Sequence, residues 1–423
     1  MAGQIKMNLV LFTLGKVTAV LGSSIYGFAI GLYILSITGS SLNFAITLLL
    51  SVLPRVVLSP IAGALSDRWN RKRIIIVSDF SCAIWLTIIF IVFSFFYSDI
   101  WVLYTATAVL SILNTFYATA VTSAIYNMAG PNYLQKAMSM NQAAASLSSI
   151  LGPVLGGVFF GLFDITTFMI INIAAFAVSG LASTFIQYEL FSDKKKGNAP
   201  GSVIEDLKSG LAYANKQSFL KNLILISIFL NFWFAVFPVA MPYLILTVRG
   251  MQSYQLGIVE GSFSVGMLAM SIFLSARPEI KRKELSIIGG ILAMSVVLML
   301  LGIPGLPAMI DVSNHFFFLY LIVMVFILAS FIMIINMPIQ LILQKSTPDE
   351  YRGRVLSLLE TGALAMTPLG FILFGFLLEK VPVWIIFLIC GLSIIALIVY
   401  HLKKKTFIRH LREVNQPDHS SVL

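Results

Sequence analysis

The sequence predicts an all-α integral membrane protein with twelve transmembrane helices arranged in two six-helix bundles. Hydrophobic residues make up 58% of the 423 residues and charged residues only 11%, whereas soluble domains carry about 25% charged residues. Apolar runs long enough to cross a bilayer recur along the chain, and the longest polar interruption lies near its middle. This composition excludes a soluble enzyme, a disordered chain, a secreted disulfide scaffold and a nucleic-acid-binding domain.

Twelve apolar runs, which we number as spans one to twelve, are separated by polar or turn-forming breaks. The division of 138–190 at Phe163-Asp164 is the most ambiguous of these breaks. The predicted domains are a first bundle at 1–190, a connector at 191–219, a second bundle at 220–402 and a basic tail at 403–423. The spans are predicted at 8–36, 42–64, 74–97, 100–127, 138–161, 166–190, 220–247, 254–276, 285–304, 315–343, 354–378 and 382–402.

The connector and the two bundles each carry a further pattern. Ser202 and Glu205 have the spacing of a capping box, ahead of a helix with one apolar face that we expect on the membrane surface. The starts of spans five and eleven, PNYLQKAMSM at 131–140 and PDEYRGRVLSL at 348–358, resemble each other weakly. Parallel repeats of six spans are a known plan of transporters.

The basic residues predict the orientation. With an even number of spans, 24 of the 28 Lys and Arg fall on the side of the two termini, and only Arg249 and Lys380 fall in the opposite loops. The positive-inside rule therefore places both termini in the cytoplasm. The net charge of +10 then reflects topology, and we expect no nucleic-acid partner. The Ile-, Phe- and Lys-rich composition is typical of an AT-rich bacterial genome, so we expect a bacterial cell membrane.

The segment between spans two and three is the most specific motif. Gly63, Asp67, Arg68, Arg71 and Lys72 follow the pattern G-x-x-x-D-R-x-x-R-K. Gly63 would let the two helices approach closely, Asp67 could face a helix N-terminus, and the cations could clamp carboxylates or lipid phosphates. The alternative is a solvated loop that follows the positive-inside rule. Charge bias alone does not require Gly, Asp and Arg at this spacing.

This motif resembles the corresponding loop of the major facilitator superfamily. LPRVVLSPIAGALSDRWNRKR, followed by Asp79, looks like the branch that contains macrolide-efflux and siderophore-export permeases. The resemblance implies the superfamily fold, alternating access, a monomer, and a gating loop that latches the two halves on the cytoplasmic side. The equivalent loop of the second half, ARPEIKRK, lacks the Gly and the Asp, so any such latch is asymmetric.

Span five contains a second motif, Gly152-Pro153-Val-Leu-Gly156-Gly157, which is similar to a motif of drug/proton antiporters in that superfamily. Proline interrupts the helical hydrogen bonds, and the glycines create a surface on which another helix can rock. These residues are therefore a candidate hinge. Ordinary packing of small residues is the alternative, and the two interpretations are compatible.

Five charged residues are the main candidates among those within spans, where ionisable groups are functional candidates. Lys16, Arg55 and Asp79 belong to spans one to three, and Asp79 could either relay protons or pair with Arg55. Glu260, in span eight, has no cation nearby in the sequence, although it could instead be a helix-end carboxylate facing water. Glu360, near the start of span eleven, could also be a surface residue.

The resemblance implies that spans one, four, seven and ten line the substrate path. Few charges, many aromatic rings and scattered amides in these spans suit a large amphipathic molecule. Most of the 33 Phe must face lipid or other helices, which favours a core position over a ligand contact for any single aromatic residue. The candidate cavity residues are Tyr26, Asn114, Tyr117, Asn231, Trp233, Asn336 and Gln340.

The resemblance and the antiporter-like motif of span five imply an exporter of a lipophilic compound, such as a macrolide-like drug or a siderophore. The buried acids and the absence of an ATPase motif favour proton coupling. No phosphate-binding loop, zinc motif or catalytic constellation is present, and Cys82 and Cys390 lie in apolar runs. We therefore expect no enzymatic activity, no metal and no cofactor, with the proton gradient as the energy source. The expected partners are the substrate, protons and membrane lipids. Proton symport of a nutrient and a lipid scramblase or flippase remain alternatives.

Overall fold

The computed structural model describes residues 2–191, 218–278, 280, 282–346 and 362–403. Every regular element in this part of the chain is a helix. The helices of the first half are α1 (Ala2–Thr38), α2 (Ser41–Arg68), α3 (Arg71–Phe95), α4 (Ile100–Phe160) and α5 (Ile165–Phe185). The amphipathic helix of the connector, the repeat at 348–358, Glu360 and the basic tail beyond Lys403 lie outside the described residues.

Spans four and five form one helical stretch, where the sequence predicted a break at 128–137. Helix α4 has 61 residues, about 90 Å at 1.5 Å per residue, which is far longer than a bilayer core. Gly130 divides it, with a left-handed φ of 68°. Pro131 follows, and proline is well suited to the first turn of a new helix. The predicted loop was wrong because a single residue makes the joint.

The second half contains α6 (Ser218–Phe234), α7 (Val236–Pro242), a π-helix (Tyr243–Val248), α8 (Ser253–Ser275), α9 (Lys283–Leu300) and two 3₁₀ turns (Ile303–Gly305 and Pro307–Met309). It ends with α10 (Asn314–Ser346), α11 (Thr367–Leu378) and α12 (Val383–Lys403). The described part of the first half, 2–191, contains no element that corresponds to this π-helix.

Span seven is interrupted twice, although the sequence predicted one continuous helix. The first interruption, at Ala235, separates α6 from α7. A proline ring clashes with the carbonyl four residues earlier, and for Pro238 this is the carbonyl of Phe234. The π-helix begins directly after Pro242. The two prolines therefore account for both departures from regular α-helix.

Ten helical stretches of the described chain are long and apolar enough to cross a membrane, and Gly362–Leu378 is a shorter apolar helix. One of the ten is α4, which contains two predicted spans. The structure confirms an all-helical, multi-pass membrane protein. Its helices do not correspond one to one with the twelve predicted spans, because α4 is continuous and span eleven is described only from Gly362.

The chain forms two compact units. The first comprises Met1–Val203 and Gln252–Gly261, and the second Ile204–Met251 and Ser262–Leu423. In the first unit α1 packs against α4 and α5, while α2 and α3 both pack on α4. In the second unit α9 packs against α10 and α12. The segment Gln252–Gly261, which was predicted in the second bundle, thus groups with the first unit.

Candidate functional site

The turn between α2 and α3 is held by a residue that the sequence analysis overlooked. Asn70 is the N-cap of α3, where its side-chain oxygen accepts a hydrogen bond from the Arg73 N–H at 3.1 Å. Its amide nitrogen donates to Oε1 of Glu189 at 2.6 Å. Asparagine ahead of an apolar helix is a recognisable N-cap. The distant Glu189 gives no such signal in the sequence.

Two cations of the predicted gating loop bind backbone carbonyls. Arg71 donates from Nη1 to the carbonyl of Ser123 at 2.9 Å. Lys72 donates from Nζ to the carbonyls of Thr184 and Ile186 at 2.7 and 2.9 Å, at the C-terminus of α5. A cation is favourable there because helix carbonyls leave partial negative charge at that end. The partners of Lys72 are therefore backbone carbonyls, whereas the sequence predicted a carboxylate or a lipid phosphate.

The remaining loop residues differ in their surroundings. No described atom outside its own helix and chain neighbours lies within 4 Å of a Cβ built on Gly63, so the close helix approach predicted there is wrong. Arg68 ends α2, is exposed, and makes no hydrogen bond or ion pair with a described residue. The side chain of Asp67 lies outside the described part. The gating role of the loop stays a prediction.

The first two glycines of the predicted hinge lie against α1. A Cβ placed on Gly152 would overlap the hydroxyl of Ser24 and lie 2.6 Å from its Cβ. A Cβ placed on Gly156, one turn later, would lie 2.8 Å from Cδ1 of Phe28. Real side chains do not tolerate such distances, so these positions allow α1 and α4 to approach closely.

The other two hinge residues lie against the start of α8, within the first unit. A Cβ on Gly157 would lie 2.5 Å from the carbonyl oxygen of Ser253, and one on Gly257 would overlap the carbonyl oxygen of Pro153. Both obstacles are backbone atoms, which cannot rotate away. Small residues on both helices thus let the two backbones touch.

Asp79 has a different partner from the predicted one. It is 1% exposed on α3, and its Oδ2 accepts a hydrogen bond from the Ser179 hydroxyl of α5 at 2.8 Å. Tyr117 lies within hydrogen-bonding range of the same hydroxyl. No ion pair joins Asp79 to Arg55, whose side chain is exposed. The predicted pairing across the α2–α3 hairpin is wrong because Asp79 faces α5.

Lys16 is the cation nearest to this carboxylate. It is half-buried on α1 and lies within electrostatic range of Asp79 and, more weakly, of Arg55. Its Nζ lies 5.1 Å from the centre of the Tyr117 ring, a distance at which a cation is attracted to an aromatic face. Lys16, Asp79, Tyr117 and Ser179 therefore form one buried group, which we call the polar cluster.

Glu260 contrasts with Asp79. It is half-buried on α8 and makes no hydrogen bond or ion pair with any residue that the structure describes. No cation or hydroxyl group of the described chain contacts its carboxylate. The carboxylate of Asp79 thus has a hydrogen-bond donor and a nearby lysine, whereas the described residues provide neither for Glu260.

Two aromatic candidates for the substrate cavity are core residues. Tyr26 and Tyr117 are 3% and 6% exposed, in two separate hydrophobic clusters of the first unit. The structure therefore does not support open cavity walls at these positions. Asn114, on the same helix as Tyr117, is half-buried, and it makes no hydrogen bond with a described residue.

The second unit contains an aromatic group at the first interruption of span seven. The rings of Phe232 and Trp233 are 5.4 Å apart, and Trp233 lies 6.0 Å from Phe374 of α11. The Trp233 indole N–H is buried without a hydrogen-bond acceptor among the described residues. Stacked rings extend the group on the other side of the break. We call this set the aromatic group: Phe232, Trp233, Phe234, Phe237, Phe263 and Phe374.

The amide candidates of the second unit are separated. Asn231 is half-buried beside the aromatic group, and its Nδ2 donates to the Ser227 carbonyl at 2.9 Å. Asn336 and Gln340 are exposed on α10, one turn apart. Of the predicted cavity residues in this unit, only Asn231 and Trp233 lie at the helix break.

Comparison with known proteins places the chain in a family. A sequence model described as the Major Facilitator Superfamily matches residues 12–362. The chain is 26% identical to "Uncharacterized MFS-type transporter YfiS" of Bacillus subtilis, over 84% of its own length and 83% of the relative's. It is 23% identical to "Macrolide efflux protein A" of Streptococcus pyogenes, over 91% and 93% of the two chains. It is 24% identical to "Multidrug efflux pump Tap" of Mycolicibacterium fortuitum, over 96% and 97%.

Solved structures share the fold at low identity. The nucleoside transporter NupG superimposes with a TM-score of 0.71 at 14% identity, covering 94% of this chain and 99% of that one. A bacterial homologue of the iron transporter ferroportin gives a TM-score of 0.67, also at 14% identity, over 93% and 98% of the chains. Because the family model matches most of its length, the chain belongs to the Major Facilitator Superfamily, and it is a multi-pass membrane transporter of small molecules rather than an enzyme.

Proposed function

We propose that the protein exports a lipophilic or amphipathic small molecule in exchange for protons, by alternating access. The observation that carries this proposal is the polar cluster, a carboxylate buried inside a membrane span between a hydroxyl and a lysine. Ionisable groups are costly at that depth and are typical of proton relays. The protein acts as a monomer in a bacterial cell membrane, with both termini in the cytoplasm and no cofactor besides the proton gradient.

Two carboxylates share the proton in the proposed cycle. Glu260, without a described partner, takes up a proton from outside, and Asp79 belongs to the group that passes it inward. The Ser179 hydroxyl can donate to Asp79 when the carboxylate is charged and accept from it when it is protonated. The polar cluster can therefore hold either form without a change of fold.

The aromatic group supports a lipophilic substrate. Aromatic walls with a few polar groups are typical of small-molecule sites. The Trp233 N–H is buried and has no described acceptor, so an oxygen of a substrate that enters the aromatic group would supply one. Broken helices near the middle of a span are common at transporter binding sites. The direction of transport is supported by the names of two relatives, a macrolide efflux protein and a multidrug efflux pump.

Transport into energised everted membrane vesicles tests the proposal. Macrolides, dyes and catecholate siderophores would be added outside and their accumulation in the lumen measured, with and without a proton ionophore. We expect ionophore-sensitive accumulation of at least one compound. Asp79→Asn and Glu260→Gln should abolish it while leaving downhill exchange. Asp311→Asn is the matched control, because Asp311 is an exposed carboxylate between helices.

Three results would contradict the proposal. Accumulation that follows a sodium gradient and ignores the ionophore would exclude proton coupling. Proton-driven uptake of a nutrient into right-side-out vesicles, with no efflux substrate in the panel, would favour symport. Ionophore-independent movement of labelled lipid between leaflets, without accumulation of any compound, would favour a lipid scramblase.

A further inference from the structure

The first unit contains a cavity of about 620 Å³ beside the turn between α2 and α3. This volume is in the range of small-molecule pockets, about 300–1,000 Å³. Its walls are apolar and come from three helices, with Leu65 on α2, Val77 on α3, and Leu113 and Phe116 on α4. Helices α2 and α3 both pack on α4 but contact each other little. The cavity is therefore a groove between α2 and α3, with α4 as its floor, and we call it the α2–α3 groove.

The groove opens at the predicted cytoplasmic edge of the membrane. Trp69, which lines it in the turn, is 63% exposed, and Val77, two turns into α3 from there, is 61% exposed. Tryptophan is enriched at the level of lipid headgroups. An exposed valine on a membrane span faces hydrocarbon or the groove itself. Along the groove the lining thus changes from an interfacial tryptophan to apolar side chains. A phospholipid changes in the same order, from its polar headgroup to its acyl chains.

A cation without a partner among the described residues lies at the same edge. Arg73 lines the groove, is exposed, and its guanidinium makes no hydrogen bond or ion pair with the described chain. Its neighbours Arg71 and Lys72 already bind backbone carbonyls. The cytoplasmic leaflet carries anionic lipids that attract basic residues next to a span. Arg73 therefore offers a charge that an anionic headgroup can use.

The second unit has a smaller counterpart. A cavity of about 210 Å³ lies at the end of α8, lined by Arg277, Pro278, Lys283 and, on α10, Pro338. Its arginine is occupied, because the guanidinium of Arg277 lies 4.8 Å from the centre of the Phe273 ring. The groove of the first unit is thus the larger of the two, and the structure describes no such ring contact for its arginine.

We propose that the α2–α3 groove binds an anionic phospholipid of the cytoplasmic leaflet. One acyl chain lies between Leu65, Val77 and Phe116, and the phosphate lies against Arg73, with Trp69 beside the headgroup. This lipid is a bound ligand and is not the transported compound, so the inference is independent of the proposed export activity. It assigns a role to Arg73, which lies next to the predicted gating residues but outside them.

Native mass spectrometry of the full-length protein tests this binding. The protein would be delipidated in detergent and then titrated with phosphatidylglycerol or phosphatidylcholine of identical acyl chains. We expect about fivefold stronger retention of the anionic lipid, since one basic residue near the surface contributes a factor of that size. Arg73→Gln should remove the preference, and Arg73→Lys should keep most of it. Val77→Trp, which fills the groove, should weaken retention of both lipids.

Arg277→Gln is the matched control, because it removes an arginine from the smaller cavity, and it should behave as the unmodified protein. Equal retention of the two lipids would overturn the proposal. So would an unchanged preference in Arg73→Gln, or a preference that is lost in Arg277→Gln. Displacement of phosphatidylglycerol by a macrolide at equal strength in Arg73→Gln and the unmodified protein would make the groove a drug site. Because no gradient is applied, a failure of export does not affect these results.

Discussion

The two compact units place different chemistry inside the membrane. The first buries charge, with Lys16 and Asp79 in one cluster, and it also contains glycine-mediated backbone contacts between α4 and the start of α8. The second buries aromatic rings around a span that Pro238 and Pro242 interrupt. The first unit holds its carboxylate by a hydrogen bond between closely packed helices, whereas the interrupted span of the second unit buries an indole N–H for which the described residues supply no acceptor. This difference favours proton coupling in the first unit and substrate binding in the second.

The largest expected effect is in the polar cluster. Asp79→Asn should abolish proton-driven accumulation in vesicles, because the amide cannot bind and release a proton. Ser179→Ala should reduce it about tenfold or more, since a hydrogen bond to a charged group contributes about 1.5–3 kcal/mol. Ser148→Ala is the control, as its equally buried hydroxyl bonds only the Ala144 carbonyl of its own helix. Equal rates in Asp79→Asn and Ser148→Ala would remove the polar cluster from the mechanism.

A second test compares glycines of the same unit. Gly257→Ala should lower the free energy of unfolding by about 1–3 kcal/mol, the usual cost of overpacking, because its Cβ would meet the Pro153 carbonyl. Gly63→Ala should be neutral or stabilise by up to about 1 kcal/mol, because the site is open and alanine is the better helix former. Thermal unfolding in detergent measures both. A stable Gly257→Ala variant would show that the contact between α4 and the start of α8 is loose.

Substrate binding tests the second unit. Trp233→Phe should raise the apparent KM about two- to tenfold, the range expected for one lost hydrogen bond, while the ring itself is kept. Trp384→Phe is the matched control, since its N–H also has no described acceptor but lies outside the aromatic group. Vesicle transport at varied substrate concentration measures the change. An equal rise of KM in both variants would argue against a binding role for the aromatic group.

The smallest effect concerns the turn between α2 and α3. Lys72→Gln should destabilise the first unit by about 1 kcal/mol, since it removes a half-exposed cation that binds two carbonyls at the C-terminal end of α5. Arg68→Gln, at an exposed position, should stay within about 0.5 kcal/mol. The midpoints of thermal unfolding distinguish them. If the two variants unfold alike, Lys72 does not brace the turn.

Hydropathy was sufficient to predict the helices and the membrane, because long apolar runs have few alternatives in a bilayer. It could not predict which faces meet. Gly63 and Gly152 look equivalent in the sequence, yet only Gly152 touches another helix. Ser179 lies 100 residues from Asp79, and no local pattern links them. The acceptors of Lys72 are backbone carbonyls, which every residue has and which therefore leave no signal.

The interruption of span seven was present in the sequence and was overlooked. Pro238 and Pro242 are four residues apart in a run that was treated as one helix, and each forbids a regular hydrogen bond. Asn70 likewise carries an N-cap signal. These two features depend on local backbone chemistry, so a closer search for proline and capping residues would have found them. Such a search would still not have found contacts between different helices, such as the one between Asp79 and Ser179.

The joint at Gly130 restricts substitution more than its size suggests. Its left-handed φ costs other residues about 1–2 kcal/mol, and a Cβ there would lie 2.7 Å from the ring of Phe191. Phe191 also donates its N–H to the Asn127 carbonyl at 2.9 Å, so the chain leaving the first bundle is fastened at the bend between spans four and five. Two unrelated requirements therefore coincide on one position. In a library of random variants, position 130 should therefore accept very few residues other than glycine. A substitution that moves the bend would also displace Phe191, and with it the start of the segment that leads to the second half.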